Sequence, residues 1–158
     1  MNQTFDIPYK DLVIPARGSF ARRIISRPMV HTVLSYQKSD LDFSFPAIVD
    51  SGADYCVFPA SYGELLGLDI YKGPHLQSGG LGGGDTLYFH KITVKVILGS
   101  EPVQFDCEAG FSRKMDRAAI GFLGRHGFFE LFEEVTFYQR QKRFVLRACD
   151  ELDFGDQP

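Results

Sequence analysis

The sequence predicts a mainly β fold with one or two short helices. Three observations carry that prediction. Turn-forming residues fall at short intervals along the 158 residues, and the segments between them are rich in β-branched and aromatic side chains. The aromatic complement is 15 Phe and 7 Tyr with no Trp, which suits a β-rich core. The longest patterned segment, LYFHKITVKVIL at 87–98, alternates apolar and polar side chains from Tyr88 onward, the period of a strand.

Taken in order, residues 1–27 lack clear periodicity, and only DLVIPA at 11–16 reads as a short strand. The basic stretch ARGSFARRIISR at 16–27 is expected to be a solvated, partly mobile arm rather than a binding patch. PMVHTVLSY at 28–36 is a strand, QKSD a polar turn, and LDFSF at 41–45 an alternating strand. Residues 47–49 continue as a buried strand into Asp50, and 53–58 form a further strand that Pro59 stops. SYGELLGL at 61–68 predicts a short helix, with Ser61 as its cap and Glu64 completing a capping box. Five glycines in 79–84 separate strand-like segments. GSEP is a hairpin turn, VQFDCEAGF at 103–111 the returning strand, and SRKMDRA a polar loop. AIGFLGRHGFF at 119–129 holds a β-like run and a Gly-Arg turn, then leads into a short helix. VTFY, QRQK and RFVL make a closing hairpin, and the acidic end is expected to fray. The organisation is an arm at 1–27, one domain at 28–150 and an acidic tail at 151–158.

Composition narrows the function classes. Hydrophobic residues are 44% and charged residues 23%, ordinary for a globular chain of one-domain length. A net charge of −3 gives no electrostatic reason to expect nucleic acid. Cys56, Cys107 and Cys149 are too few and too scattered for a disulfide framework, so buried free thiols are expected. No signal peptide and no membrane-length apolar run is visible, which points to a cytoplasmic protein. His31, His75, His90 and His126 form no metal-type spacing, so neither a metal nor another cofactor is expected. The glycine run is followed by a strand rather than a helix, which argues against a phosphate loop. DFG at 153–155 has none of the companions of a kinase metal motif and is read as chance.

The chemistry centres on AIVDSGAD, 47–54. Asp50 ends a buried strand and Ser51-Gly52 turns the chain, a geometry that presents a carboxylate at a strand end. Two such carboxylates about 3 Å apart cannot both ionise and share one proton. One then acts as general base on water while the other polarises a carbonyl. The sequence contains one such turn, so the second must come from another copy of the chain. As alternatives, Asp50 could cap the turn by an Asx interaction, and Asp54 could be half of an ordinary surface pair with Arg125 or a second catalytic acid on the same chain.

The motif resembles the active site of retropepsin-like aspartic proteases. Two further features appear in the same order as in that family. SGGLGGG at 78–84 is similar to the tip of the hairpin flap, and AIGFLGRHGFF is similar to the apolar-apolar-Gly-Arg segment behind the active-site loop. The resemblance covers roughly residues 28–146. It implies a closed acid-protease β-barrel and peptide hydrolysis at a homodimer, with an extended peptide or protein as substrate and with neither nucleic acid nor membrane as partner. Asp50 would be the catalytic aspartate. In the active-site loop with Ala53, Ser51 would hydrogen-bond across the dyad and Gly52 would offer its carbonyl to substrate. Asp54 would pair with Arg125, and Gly79, Gly80, Leu81, Gly82 and Gly83 would form the flap tip. The family often carries Asp or Asn where His126 stands, more commonly Thr where Ser51 stands, and no counterpart in its minimal form to residues 1–27. The rival expectation is a peptide-binding or dimerisation module that keeps the fold without proteolysis.

Overall fold

A closed ring of six strands forms the body of the computed structural model, which describes residues 3–79, 83–149 and 152–153. Strands and bridges make up 58% of the described residues. In chain order they are β1 (Thr4–Pro8), β2 (Lys10–Ile14), β3 (Arg23–Arg27), β4 (Met29–Tyr36), β5 (Ser39–Asp40), β6 (Phe45–Val49) and β7 (Val57–Pro59), then β8 (His75–Ser78), β9 (Asp85–Leu98), β10 (Glu101–Ser112), β11 (Gly121–Leu123), β12 (Phe132–Tyr138) and β13 (Arg143–Ala148). One helix, α1 (Ala60–Leu65), follows β7, and short 3-10 turns cover Ile70–Lys72, Phe129–Leu131 and Gln139–Gln141.

The ring runs β4-β6-β11-β7-β10-β9 and closes where β9 pairs with β4, Thr32 opposite Val96. Alternation fills the interior. Leu34 on β4, Phe58 on β7, Val94 and Val96 on β9, Phe111 on β10 and Leu123 on β11 are all fully buried. On β9 the buried positions are Leu87 and Phe89, then Ile92, Val94, Val96 and Leu98. The phase slips by one residue at His90–Lys91 while the ladder to β10 stays continuous from Tyr88 to Leu98. A slip of one residue exchanges the buried face of a strand. The two parts of β9 therefore serve different neighbours, β8 at one end and β4 at the other.

Several expectations need correction. The described part of the 1–27 segment is not a loose arm: β1 pairs with β13 along Thr4–Pro8, and Phe5 and Ile7 join the core. The alternation in TFDIP is too short to announce a strand, and its partner lies at the other end of the chain. β2 and β3 form their own two-stranded ribbon. Residues 41–44 bend instead of extending, and Phe43 and Phe45 both pack on Tyr62 of α1. The capping box is not made. Pro59 stands at the helix cap with no side-chain bond, the Ser61 N–H donates to Asp116 Oδ1 at 2.9 Å, and Glu64 turns to Arg113. The acidic tail is docked in part, since the Gln104 N–H donates to the Asp153 carbonyl at 2.7 Å. Of the cysteines, Cys56 is buried, Cys107 half-buried and Cys149 exposed, all as free thiols.

Candidate active site

Local sequence places Asp50 where two strands end together. In β6, Ala47 and Val49 point inward and are buried. That alternation leaves the next residue at the strand's end with its side chain half-buried. β11 runs parallel beside β6, with Gly121 opposite Ala47 and Leu123 opposite Val49. The Asp50 N–H donates to the Leu123 carbonyl at 3.1 Å, which extends that ladder to Asp50 itself. β11 also meets β7 through Phe122 and Val57, so it threads between the strand entering the Asp50 loop and the strand leaving it.

The turn is held by its own hydrogen bonds. The Ala53 N–H donates to the Asp50 carbonyl at 3.2 Å, and the Gly52 N–H donates to Asp50 Oδ1 at 2.9 Å. This Asx interaction aims the carboxylate without consuming it. Among the described residues it is the carboxylate's one donor, and Oδ2 accepts no hydrogen bond from them. Ser51, Gly52 and Asp54 are exposed around it.

The Gly-Arg segment braces the loop by main-chain contacts. The Arg125 N–H donates to the Ala53 carbonyl at 2.9 Å, the His126 N–H to the Asp54 carbonyl at 2.8 Å, and Arg125 Nε to the Ser51 carbonyl at 2.8 Å. Gly124 makes this approach possible: a Cβ there would lie 2.2 Å from the Tyr55 oxygen. Sequence reasoning found Gly124 only as part of a motif and missed its steric role. His126 stacks on Tyr55 and shares Glu130 with the Gly127 N–H. The Gly127 N–H and then His126 hold the Glu130 carboxyl below its usual range.

The expected Asp54–Arg125 ion pair is not formed; among the described residues no ion pair joins the two. Arg125 instead binds a backbone carbonyl, because the loop presents carbonyls rather than carboxylates to that side. Arg125→Met is accordingly expected to lower stability by about 1 kcal/mol, the worth of one solvent-exposed hydrogen bond, and Asp54→Asn by less. Thermal melts of both variants check this. A larger loss for Asp54→Asn would reinstate the ion pair.

Gly79, Gly83 and Gly84 flank the end of the β8–β9 ladder, which pairs Ser78 with Asp85 and His75 with Tyr88. Gly79 and Gly83 have open space where a Cβ would stand, and Gly83 has φ +92°. Gly80, Leu81 and Gly82 lie outside the described residues. The hairpin's return is tied to the end of β10: Ser112 Oγ donates to Asp85, and Lys114 Nζ donates to the Gly84 carbonyl at 2.6 Å. Two clefts, of ≈ 460 and ≈ 600 Å³, lie along β10 without Asp50 in their lining, the larger reaching Tyr55 and His126 beside the loop. Among the described residues no group of three His, Cys, Asp or Glu side chains could hold a metal ion. No helix among them is long and apolar enough to cross a membrane.

No protein-family model matches the sequence, and no curated protein matches it. A solved structure does. The crystal structure of a retropepsin-like aspartic protease from Rickettsia conorii covers 94% of this chain and 96% of its own, with a TM-score of 0.50 and 15% identity. The fold is retropepsin-like. At that identity the shared property is the path of the chain. In this retropepsin-like chain the path brings an Asp-Ser-Gly turn, a Gly-Arg brace and the β8–β9 hairpin onto one sheet.

Proposed function

We propose that the chain is an aspartic endopeptidase whose active site is completed by a second copy of itself. The observation that carries this is the state of Asp50. It is half-buried at the meeting point of β6 and β11, with one oxygen held by the Gly52 N–H and the other without a hydrogen bond among the described residues. Its neighbours Ser51, Gly52 and Asp54 are exposed in a segment otherwise built like core.

In the proposed dimer the two Asp50 carboxylates face each other across a two-fold axis and share one proton. The ionised member takes a proton from a water held between them, and that water attacks the peptide carbonyl. The protonated member donates to the carbonyl oxygen. Collapse of the tetrahedral intermediate then returns a proton to the leaving amine. The flat guanidinium of Arg125 and the backbone bonds of Ala53 and Asp54 keep each turn in register. The β8–β9 hairpin serves as the flap, and the substrate is an extended peptide paired as an added strand beneath it. The pH–rate profile is bell-shaped, and its two limbs belong to the pair rather than to either residue.

Sedimentation velocity run beside digestion of an unstructured protein tests this reading. The expected result is a dimer and new peptide termini between about pH 4 and 7. A strict monomer at assay concentration would sink the shared site. A dimer that binds the substrate and never cleaves it would instead establish the rival peptide-binding module.

A further inference from the structure

The β2–β3 ribbon belongs to neither of the other sheets, and the proposed peptidase chemistry uses none of it. Among the described residues its strands pair only with each other, from Lys10 opposite Arg27 to Ile14 opposite Arg23. At the tip, Arg17 and Phe20 exchange main-chain hydrogen bonds at 2.9 Å around Gly18, whose φ is +58°. The ribbon is thus a formed hairpin, and a two-stranded hairpin alone in water is marginal. Its apolar side chains have no core to join. Leu12, Val13, Ile14, Phe20, Ile24 and Ile25 belong neither to the buried cluster nor to the side chains packed against it. Val13 and Ile24 sit opposite each other at 51% and 59% exposure, and Phe20 is 41% exposed. Large apolar side chains gathered in the open on one hairpin mark an interaction surface.

Charge identifies the partner. Residues 10–27 hold Lys10, Arg17, Arg22, Arg23 and Arg27 against the single acid Asp11, a charge of +4. The whole chain carries −3, so the remaining residues carry −7. None of the five cations forms an ion pair among the described residues, and Asp11 accepts the Ser26 hydroxyl. On the body, Asp54 is exposed on the Asp50 loop and likewise enters no ion pair among them. The ribbon is rooted at that same loop. The Val49 N–H donates to the Pro28 carbonyl at 2.9 Å, so β3 ends beside the residue that precedes Asp50. A strand of five residues is about 17 Å long, enough to pass from that root onto a neighbour that faces Asp50.

We infer that the β2–β3 ribbon is a clasp between two copies of this chain. Each ribbon lays Val13, Phe20 and Ile24 on the other copy and sets its arginines against that copy's acidic body. The inference rests on the reading of Asp50 as half of a shared site, which brings the second copy to the ribbon's root. In a symmetric pair the contact is made twice, ribbon to body and body to ribbon. A second copy offers the ribbon a net negative protein surface. An anionic membrane or a nucleic acid would attract the ribbon and repel the −7 body behind it.

Sedimentation velocity of the full-length chain at about 50 and about 500 mM NaCl tests the clasp. Two double variants are run beside the parent: Arg17→Glu with Arg22→Glu, and Val13→Thr with Ile24→Thr. All four positions are exposed and threonine keeps the β-branch, so the melting temperature of the barrel should not move. Each double variant is expected to raise the dimer Kd by ~10-fold or more. High salt should weaken the parent dimer and have little further effect on the charge-reversed one. Dimers of parental strength in both variants would overturn the clasp and leave the shared Asp50 site standing. A parent that stays monomeric would remove both. A dimer that the variants weaken, but that never cleaves an unstructured protein, would keep the clasp and remove the peptidase. Sedimentation with phosphatidylserine vesicles, lost in both variants while dimerisation is unchanged, would give the ribbon to a membrane and overturn the clasp.

Discussion

Asp50→Asn is expected to lower peptide cleavage by at least ~10³-fold, because the variant dyad has no ionisable base to activate water. The fold and the dimer should survive. The Asp50 carboxylate accepts one hydrogen bond in the chain, from the Gly52 N–H, and an asparagine oxygen accepts it equally well. The melting temperature should stay within about 2 °C of the parent, the effect of a substitution worth under ~0.5 kcal/mol. A mixing experiment sharpens the test, because each proposed site takes one carboxylate from each chain. In an equimolar mixture at exchange equilibrium, about one quarter of the dimers carry two Asp50 carboxylates. Activity should fall to that level. A fall to one half would mean that each chain works alone, and equal rates in variant and parent would remove Asp50 from the chemistry.

What sequence disclosed and what it hid follow from how local each cause is. β4, β9, β10 and the β12–β13 hairpin are legible because their alternation is a property of neighbouring residues. The Asp50 turn is legible for the same reason: an apolar run, an acid and a Ser-Gly pair are contiguous. β1 is hidden because its partner β13 lies at the far end of the chain and its own alternation spans only Phe5 and Ile7. The cap of α1 is hidden because the acceptor is Asp116, not the nearby Ser61 and Glu64 that fit the local rule. The Asp54–Arg125 ion pair failed for a related reason. Opposite charges are visible in a sequence, whereas the carbonyls of Ser51, Ala53 and Asp54 that meet the Gly-Arg segment are carried by every residue type.

Gly124→Ala should be the most destabilising single-methyl change near the site, by about 3 kcal/mol or more. The added Cβ would stand 2.2 Å from the Tyr55 oxygen, 2.4 Å from the Tyr55 carbonyl carbon and 2.8 Å from the Ala53 oxygen. All three are backbone atoms, so no rotamer change relieves the contact. β11 or the Asp50 loop must move, and the bonds that join them fail together: Arg125 N–H to Ala53, His126 N–H to Asp54, and the Gly124 N–H to Cys56 Sγ. Asp50 itself is tied to Leu123, the residue before Gly124, so the displacement reaches the proposed base directly. Gly124→Ala is therefore expected to lose activity and stability in parallel, whereas Asp50→Asn loses activity alone. Chemical denaturation of the two variants beside a peptidase assay separates these causes. Parental stability in Gly124→Ala would show that the approach of β11 to the loop is looser than 2.2 Å implies, and that other contacts hold the Asp50 turn in place.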